Sequence, residues 1–532
     1  MGTKKTNHFD VIVVGGGHNG LVTAGLLAKR GLDVIVLERR HTVGGAAITE
    51  TPFGPDYKVT ALSYVMSLMP PSVLRELELE KHGYKIYPQH GYFVPYPDGR
   101  SLQMHEDKAR RHAEISKFSP HDAAAMERWD AWLGGVADVL GPILGTVPPK
   151  VGSKRVGDLF AQIGFAWRMR GLDVKRVGDA TRLMTMSIAD LLDDFFESPQ
   201  MKGVLSVSGV IGAWAGPRSP GTAYVMAHHK IGDVGDGQMG SWGFPEGGMG
   251  GVTQAMRRAA EAFGAKIRTG AAVQQLLVSE GRVRGAVLAD GEELHADCVV
   301  TTTHPKITFL EHIEASALPP EFRDTIAHWK TRSGTVKVNL AIDRLPEFHG
   351  KPGFDPEVHG GTIVLAESLD DIEGAFQDAV AGRAAAKPFA DICIPSVFDP
   401  TLAPPGKHVV SMFTQWVPHQ FAVAPEKAEL EAYADRVIDR VEAVAPGFKS
   451  SILHRQVIGP HQMESEYGLI GGNIFHGELS ANQLFHMRPA PGYADYRTPI
   501  RGLYQASSAT HGGGGVTALP ALQVVRQIAS DR

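Results

Sequence analysis

Three glycines near the start of the chain have the spacing that binds a dinucleotide pyrophosphate. Gly15, Gly17 and Gly20 fit G-x-G-x-x-G directly after the apolar run VIVV. The first glycine permits a tight turn, the second lets a phosphate approach the backbone, and the third lets the next helix pack against the strand. Free N–H groups at that helix N-terminus hold the phosphate charge. We predict a dinucleotide site here; the alternative is a glycine-rich turn of an unrelated α/β protein.

An acidic residue and a second glycine pair follow this turn. Glu38 ends the run DVIVLE, 18 residues after Gly20, where a carboxylate accepts hydrogen bonds from the hydroxyls of an adenosine ribose. Gly44 and Gly45 come six and seven residues after Glu38. A second close approach of the backbone favours a ligand that continues past the pyrophosphate. The pattern therefore favours FAD over NAD.

A second glycine loop lies near the other end of the chain. Residues 512–515 are glycines between the strand-like GLYQAS and the helix-like VTALPALQVVRQIA. We expect Gly514, Val516 and Thr517 to contact the cofactor, because a helix N-terminus can stabilise negative charge on a reduced flavin. His511, just before the loop, is a candidate flavin contact or acid–base group. The alternative for His511 is a loop histidine bonded to backbone.

Other polar residues are candidates for the chemistry, and they are compatible with structural roles as well. Lys337, in GTVKVNLAI, is either a buried amine that positions a water near the flavin or a lysine on an exposed strand face. His476 lies in a turn-like stretch and is a candidate to line the pocket. Glu464 and Glu466 have the spacing of one strand face, where they would act as an acid–base pair or face solvent. The two histidines at 228–229 are expected to be structural or to lie at a contact surface, and not to bind metal.

The whole chain sets limits on these readings. Its 532 residues allow two or more domains, and a formal net charge of −5 gives no basic field for nucleic acid. The two cysteines form no CxxC, which excludes a dithiol centre and a four-cysteine zinc site and fits a reducing compartment. The sequence shows no signal peptide and no run long enough to span a membrane. We therefore expect a cytoplasmic protein.

Two further segments bear on domain organisation. Residues 244–305 read as a turn, an amphipathic helix, a strand, a hairpin and a buried strand. They contain no second dinucleotide fingerprint, so a separate NAD domain is not expected. Residues 129–170 mix aromatic, apolar and glycine residues. This second segment forms an apolar tunnel mouth, a membrane-surface patch or part of a core.

The motifs together resemble the FAD-dependent phytoene desaturase and carotenoid isomerase group, within the wider amine oxidase-like flavoproteins. The likeness is strongest to the phytoene dehydrogenase-related branch. It is carried by VVGGGHNGLVTAGLLAKRGLDVIVLERRHTVGGAA, PEGGMGGVTQAM, GLIGGNIFHGELSANQLFHMRPAPGYADYRTPI and GLYQASSATHGGGGVTALP. The resemblance implies an α/β fold with a Rossmann-type FAD-binding domain (glutathione reductase-like, amine oxidase-like) and an inserted α+β substrate domain. The implied boundaries are 1–85, 243–308 and 488–532 for the FAD domain and 86–242 and 309–487 for the substrate domain.

The same resemblance implies roles for individual residues. By family position, Val273 holds the adenine through its backbone. Lys337 matches a lysine that holds a water at the flavin ring. The flavin-end motif of the family usually carries Gly-Asp, whereas Thr510 and His511 occupy that region here. A carboxylate contact to the cofactor at this end is therefore not implied.

The function implied is that of an FAD-dependent oxidoreductase. It would abstract hydride from a C–H bond of a largely apolar small molecule, by desaturation or another dehydrogenation. Three alternatives stay open: oxidation at a carbon beside an amine nitrogen, redox-neutral cis–trans isomerisation of a polyene with reduced FAD, and a non-catalytic flavoprotein scaffold. We expect a lipophilic small-molecule substrate, no nucleic acid and no metal. Peripheral membrane contact is open, and a homodimer or a monomer is expected by base rate.

Overall fold

The computed structural model describes residues 7–150, 152–153, 156–171, 173–229, 241–419 and 427–532. The strands of this part of the chain are β1 (His8–Val14), β2 (Val34–Leu37), β3 (Thr49–Glu50), β4 (Val59–Thr60), β5 (Ile86–Pro88), β6 (Tyr92–Pro95), β7 (Ser101–Gln103), β8 (Gly243–Pro245), β9 (Lys266–Arg268), β10 (Val273–Ser279), β11 (Arg282–Leu288), β12 (Glu293–Thr301), β13 (Thr335–Ile342), β14 (Thr362–Leu365), β15 (Phe389–Cys393), β16 (His408–Gln415), β17 (Ile452–Ile458) and β18 (Leu503–Gln505).

The α-helices of the same residues are α1 (His18–Ala28), α2 (Pro71–Glu76), α3 (Lys108–Ser116), α4 (Pro120–Leu144), α5 (Val156–Met169), α6 (Val174–Thr185), α7 (Ile188–Asp193), α8 (Pro199–Val207), α9 (Thr222–His228), α10 (Met249–Ala262), α11 (Pro320–Ala327), α12 (Pro356–His359), α13 (Leu369–Val380), α14 (Lys427–Val444), α15 (Phe448–Ser451), α16 (Pro460–Tyr467) and α17 (Leu519–Asp531). Among them, none combines the length and the apolar composition that a bilayer-crossing helix needs.

The first sheet has the order β10-β11-β12-β1-β2-β9, and a seventh strand, β18, pairs with β12 in parallel. Strands β12, β1, β2 and β9 run parallel, and β10-β11-β12 is antiparallel. The apolar runs of β1 and β2 suit strands covered on both faces. Val11 and Val13 point into a core shared with α1, α10 and α17. Ile12 and Val14 point into a second core on the opposite face, as the alternation of a strand requires.

The second sheet has the order β17-β13-β16-β15-β14-β6-β7. Its central strands are antiparallel, and β14 pairs with β6 in parallel. Residues of α4, α8, α9, α13 and α14 join this sheet in the largest apolar core. β13 lies between β16 and β17, and all eight of its residues are buried. A polar residue in β13 is therefore inside the protein.

The predicted α/β class is seen in this architecture: a largely parallel sheet packed against helices stands beside a second, mixed sheet. The strands of the first sheet fall inside the predicted segments 1–85, 243–308 and 488–532, and those of the second fall inside 86–242 and 309–487. Strand β5, just past residue 85, pairs with β8 at the start of the next FAD segment. The exact domain boundaries stay a prediction.

Two local predictions need correction. Glu464 and Glu466 are not on a strand, because the stretch forms the helix α16 after the N-terminal proline Pro460, and proline is favoured in a first helical turn. Glu464 Oε2 accepts a hydrogen bond from the Gly471 N–H at 2.7 Å. The C-terminal helix begins at Leu519, later than the sequence pattern suggests. Residues 516–517 consequently belong to the loop before it.

Candidate active site

A cavity of about 1240 Å³ runs from the first glycine turn, between the two sheets, to the middle of β13. Its lining includes polar residues from the ends of β1 and β2 and apolar residues from α4 and the second sheet. The carboxyl ends of parallel strands are where ligands of open α/β sheets bind. Most of the residues predicted from sequence lie along this cavity: Gly15, Gly17, Glu38, Gly44, Gly45, Val273, Val516 and Lys337.

The first glycine turn is closed in by protein atoms at two positions and left open at a third. A Cβ on Gly20 would stand 1.9 Å from the Gly15 carbonyl oxygen, and one on Gly15 would stand 2.6 Å from Thr302 Oγ1. A Cβ on Gly17 would meet no protein atom within 4 Å. Protein packing therefore explains Gly15 and Gly20, and the open space at Gly17 fits the approach of a ligand phosphate at the start of α1.

The second glycine pair is joined to the first turn. The Gly44 N–H donates to the Gly16 carbonyl at 2.9 Å, and Gly44 forms a parallel bridge with Gly17. Gly44 has φ +132° and Gly45 φ +57°, a backbone region that favours glycine. The two loops thus present adjacent backbone to the cavity, as the sequence pattern indicated.

Glu38 has two tasks in the structure. Its side chain accepts hydrogen bonds from the N–H groups of Gly16 and Arg40, each at 2.8 Å, through different carboxylate oxygens. Each oxygen has a further lone pair, so the carboxylate can still accept from ribose hydroxyls. Val273, the first residue of β10, lines the same end of the cavity. This end fits the adenosine part of FAD.

The C-terminal glycine loop lines the cavity with only part of its residues. Val516 lines the cavity together with Gly515. Gly514 and Thr517 are outside the cavity lining of the described residues; the Gly514 carbonyl lies 3.2 Å from Nε2 of His228. Neither residue belongs to the cavity wall, and the predicted contact of each with the cofactor stays a prediction.

His511 is buried away from the cavity lining in the described part of the chain. Its Nε2 lies 3.0 Å from the Ile143 carbonyl oxygen. Burial lowers the pKa of His511 to about 4, so the ring is neutral near pH 7. The placement matches the alternative given from sequence, a histidine bonded to backbone. A role for His511 at the flavin stays a prediction, because the His511 side chain does not line the cavity.

Lys337 is buried in the cavity wall and not on an exposed strand face. Its Nζ donates to Asn339 Oδ1 at 2.8 Å and to Ser411 Oγ, and lies 5.2 Å from the centre of the Tyr64 ring. Burial lowers the pKa of Lys337 to about 7. The uncharged amine is therefore accessible near neutral pH, and in that form it has two N–H donors and one lone pair.

Asp391 is a site residue that the sequence reading missed. It lies in β15 and lines the same part of the cavity as Lys337 and Tyr64. Burial raises the pKa of Asp391 to about 7, and the hydrogen bond from Tyr64 and the charge of Lys337 oppose part of that rise. The signal was available: FADIC is a run of apolar residues with one acid, and a buried acid needs a partner. The cluster Lys337–Tyr64–Asp391 is the polar centre of this region.

Buried polar atoms without a protein partner test whether FAD fits the cavity. Among the described residues that line it, such atoms include His18 Nε2, Asn19 Oδ1, Ser67 Oγ and His476 Nδ1. Buried polar groups are normally satisfied, so these atoms fit the polar middle of a bound dinucleotide. His476 lines the pocket, as considered from sequence, and burial lowers its pKa to about 3. The residues present are compatible with FAD.

The family model described as flavin containing amine oxidoreductase matches residues 20–518 of the chain. A curated relative is pyridine nucleotide-disulfide oxidoreductase domain-containing protein 2 of Rattus norvegicus, 39% identical, with 96% of this chain and 91% of the relative covered. Phytoene desaturase (lycopene-forming) of Pseudescherichia vulneris is 24% identical, with 95% of each chain covered. Both cysteines of the present chain, Cys298 and Cys393, are free and buried.

Among solved structures, wild-type putrescine oxidase bound to putrescine superposes with a TM-score of 0.61 at 15% identity. The match covers 98% of this chain and 98% of that one. At this identity the likeness concerns the fold alone. Together with the family match, it confirms the predicted fold class, an α/β, amine oxidase-like FAD-binding fold.

Proposed function

The chain belongs to the flavin containing amine oxidoreductase family, and we propose that it uses FAD to dehydrogenate a largely apolar small molecule. Membership makes it an FAD-dependent oxidoreductase; the choice of substrate is the proposal. The observation that carries it is the character of the cavity wall beyond the dinucleotide end. Around the polar cluster of Lys337, Tyr64 and Asp391, that wall includes many apolar and aromatic side chains, among them Met126, Trp129, Leu133, Leu205, Ile211 and Phe413.

The size of the cavity supports a ligand in addition to the cofactor. Typical small-molecule pockets have about 300–1,000 Å³, and this one has about 1240 Å³. Phytoene desaturase, a relative at 24% identity, is named for a desaturation. A hydrocarbon-like substrate in the apolar part of the cavity agrees with that relationship.

The cofactor's place follows from the residues at the other end. Gly15, Gly17 and the start of α1 would hold the pyrophosphate, Glu38 the ribose and Val273 the adenine. When bound, FAD supplies a hydride acceptor that no amino-acid side chain provides. The protein's part is to orient the substrate, exclude water and move a proton.

Lys337 is the group that we propose for the proton. Dehydrogenation across a C–C bond removes a hydride from one carbon and a proton from its neighbour, and that proton needs an acceptor. The amine of Lys337, with a pKa of about 7 lowered by burial, is poised near operating pH, where general bases are most effective. Asn339 and Ser411 accept its two N–H groups and so fix its position.

Oxidation at a carbon beside an amine nitrogen is the second candidate, and Asp391 favours it. A buried carboxyl group in the cavity wall can pair with the cation of an alkyl amine and compensate for its loss of water. The aromatic ring of Tyr64, which also lines the cavity, offers the cation a π face. In this case the same cavity would take an amine with a largely apolar body.

Anaerobic titration of the purified holoprotein separates these candidates. The oxidised flavin absorption is followed while isoprenoid hydrocarbons and, separately, alkyl amines are added. Bleaching by a hydrocarbon supports the proposal, and bleaching by amines alone replaces it with the second candidate. If neither class bleaches a flavin that dithionite reduces readily, both proposals are wrong.

A further inference from the structure

An exposed apolar stripe runs along α5, and it is not used by the cavity. Val156, Leu159, Phe160, Ile163 and Trp167 are all exposed. Their positions i, i+3, i+4, i+7 and i+11 fall within about 100° of one helix face. Phe160, Ile163 and Trp167 keep 69%, 61% and 64% of their surface in contact with solvent. Contiguous exposed apolar patches on a protein mark interaction sites.

The segment that contains this stripe is basic overall. Residues 150–182 contain eight lysines and arginines and three aspartates, in a chain that has 53 basic and 58 acidic residues overall. Lys150, Arg170, Lys175 and Arg176 are exposed. The Arg170 guanidinium lies 3.4 Å from the centre of the Trp167 ring, so the basic and apolar groups are interleaved. Basic residues beside exposed aromatic and aliphatic side chains are typical of helices that lie on anionic membrane surfaces.

From these observations we propose that the α5 stripe and its basic border dock on an anionic phospholipid surface. The helix has 14 residues and is therefore about 21 Å long, too short for the ~30 Å hydrocarbon core of a bilayer. The geometry suits a helix that lies in the interface with its apolar face among the lipid chains. A second copy of the chain is the competing occupant, but two such patches would bring like charges together.

The helices on either side of α5 in the chain belong to the cavity wall or pack against it. α4 precedes α5, and its Trp129 and Leu133 line the cavity. The helix that follows α5, α6, packs against α4 and α9. The inference rests on the surface residues of α5 and its basic border alone and does not depend on the proposed reaction.

Vesicle flotation of the full-length protein tests this inference. We expect the protein to float with vesicles of phosphatidylcholine mixed with phosphatidylglycerol, to bind pure phosphatidylcholine vesicles at least about tenfold more weakly, and to lose binding as salt is raised. The triple variant Phe160→Gln, Ile163→Gln and Trp167→Gln should reduce binding on the order of a hundredfold. Glutamine is a good helix former, so the helix should persist, as circular dichroism would show.

A matched control and a second variant separate lipid binding from general surface effects. Phe354, Val380 and Leu453 are exposed apolar residues elsewhere, and their replacement by glutamine should leave binding unchanged. The variant Lys175→Glu/Arg176→Glu should weaken binding to anionic vesicles with the apolar stripe intact.

The outcomes are distinct. Quenching of Trp167 fluorescence by brominated lipid, lost in Trp167→Phe, would support insertion of the stripe. No flotation with anionic vesicles would overturn the proposal. If light scattering then shows a dimer that the triple glutamine variant converts to a monomer, the stripe is an interface between copies. An equal loss of vesicle binding when Phe354, Val380 and Leu453 are replaced by glutamine would also overturn the proposal.

Discussion

Replacement of Gly17 by alanine distinguishes a glycine required by the ligand from one required by the fold. A Cβ at Gly17 meets no protein atom within 4 Å, and the residue has φ −72° and ψ 176°, which alanine adopts without strain. The apoprotein of Gly17→Ala should therefore unfold at nearly the wild-type temperature. The methyl group would stand where the cofactor phosphate approaches the start of α1.

The expected loss follows from the hydrogen bonds at stake. The N–H groups of the first turn of a helix have no partner within the helix, and a phosphate that is held away from them loses roughly two charge-assisted bonds. At about 1.5–3 kcal/mol each, the loss is about 3–6 kcal/mol. FAD affinity should fall by roughly two to four orders of magnitude. Calorimetric titration of apoprotein with FAD, beside thermal unfolding of the same samples, measures both quantities.

Two glycine variants serve as controls. Gly374, in α13, also has open space at its Cβ, so Gly374→Ala should leave FAD affinity unchanged and raise stability by roughly 0.5–1 kcal/mol. Gly20→Ala should destabilise the apoprotein itself, because the new Cβ would lie 1.9 Å from a backbone oxygen. Wild-type FAD affinity in Gly17→Ala would refute the placement of the pyrophosphate at this turn.

Three more predictions concern side chains of the cavity. Lys337→Met should retain FAD and slow anaerobic flavin reduction by on the order of 10²-fold, since general base catalysis contributes about that much; an unchanged rate in stopped-flow absorbance would remove Lys337 from the proton transfer. Asp391→Asn should change the pH dependence of stability. Burial raises the pKa of Asp391 from 3.8 to about 7, so the folded state binds more protons than the unfolded state between those values, and the free energy of unfolding falls as pH rises through that window. Urea unfolding across the window should show a smaller fall in Asp391→Asn, and equal slopes would contradict the buried, protonated carboxyl. Glu38→Gln leaves one acceptor oxygen for the two N–H groups that Glu38 now holds, so apoprotein stability should drop by roughly 1–3 kcal/mol and FAD affinity should drop as well; a loss of neither would contradict its double role.

Much of the fold was predictable because the first sheet is built from local signals. Short segments of sequence predict β1, the glycine turn and α1, because the signal for each lies within a few neighbouring residues. The segment 244–305 contains the predicted helix, hairpin and strand. The two-residue spacing of Glu464 and Glu466 is compatible with a strand, but Pro460 at the start of the stretch favours the helix that forms there. The length of the alternating pattern was too short to decide.

The candidate site was predictable at its cofactor end and less so at its reactive end. Gly17 and Glu38 belong to one contiguous motif, so their closeness in space follows from a short stretch of sequence. Lys337 and Asp391 lie on two strands, β13 and β15, that both pair with β16. The sequence of neither strand indicates that the other lies close to it. His511 follows the same rule: its neighbours along the chain indicate a place near the flavin, and the contact that its ring makes, with the Ile143 carbonyl on α4, comes from a distant part of the chain. Long-range packing decided each of these cases.

One measurement tests the central claim most directly: a single anaerobic turnover of the holoprotein with an apolar substrate found by flavin bleaching, followed by mass spectrometry of the product. The account predicts one equivalent of product, lighter by two hydrogen atoms, for each equivalent of flavin reduced. A product of unchanged mass, formed while the flavin stays oxidised at the end of the turnover, would contradict dehydrogenation and favour isomerisation.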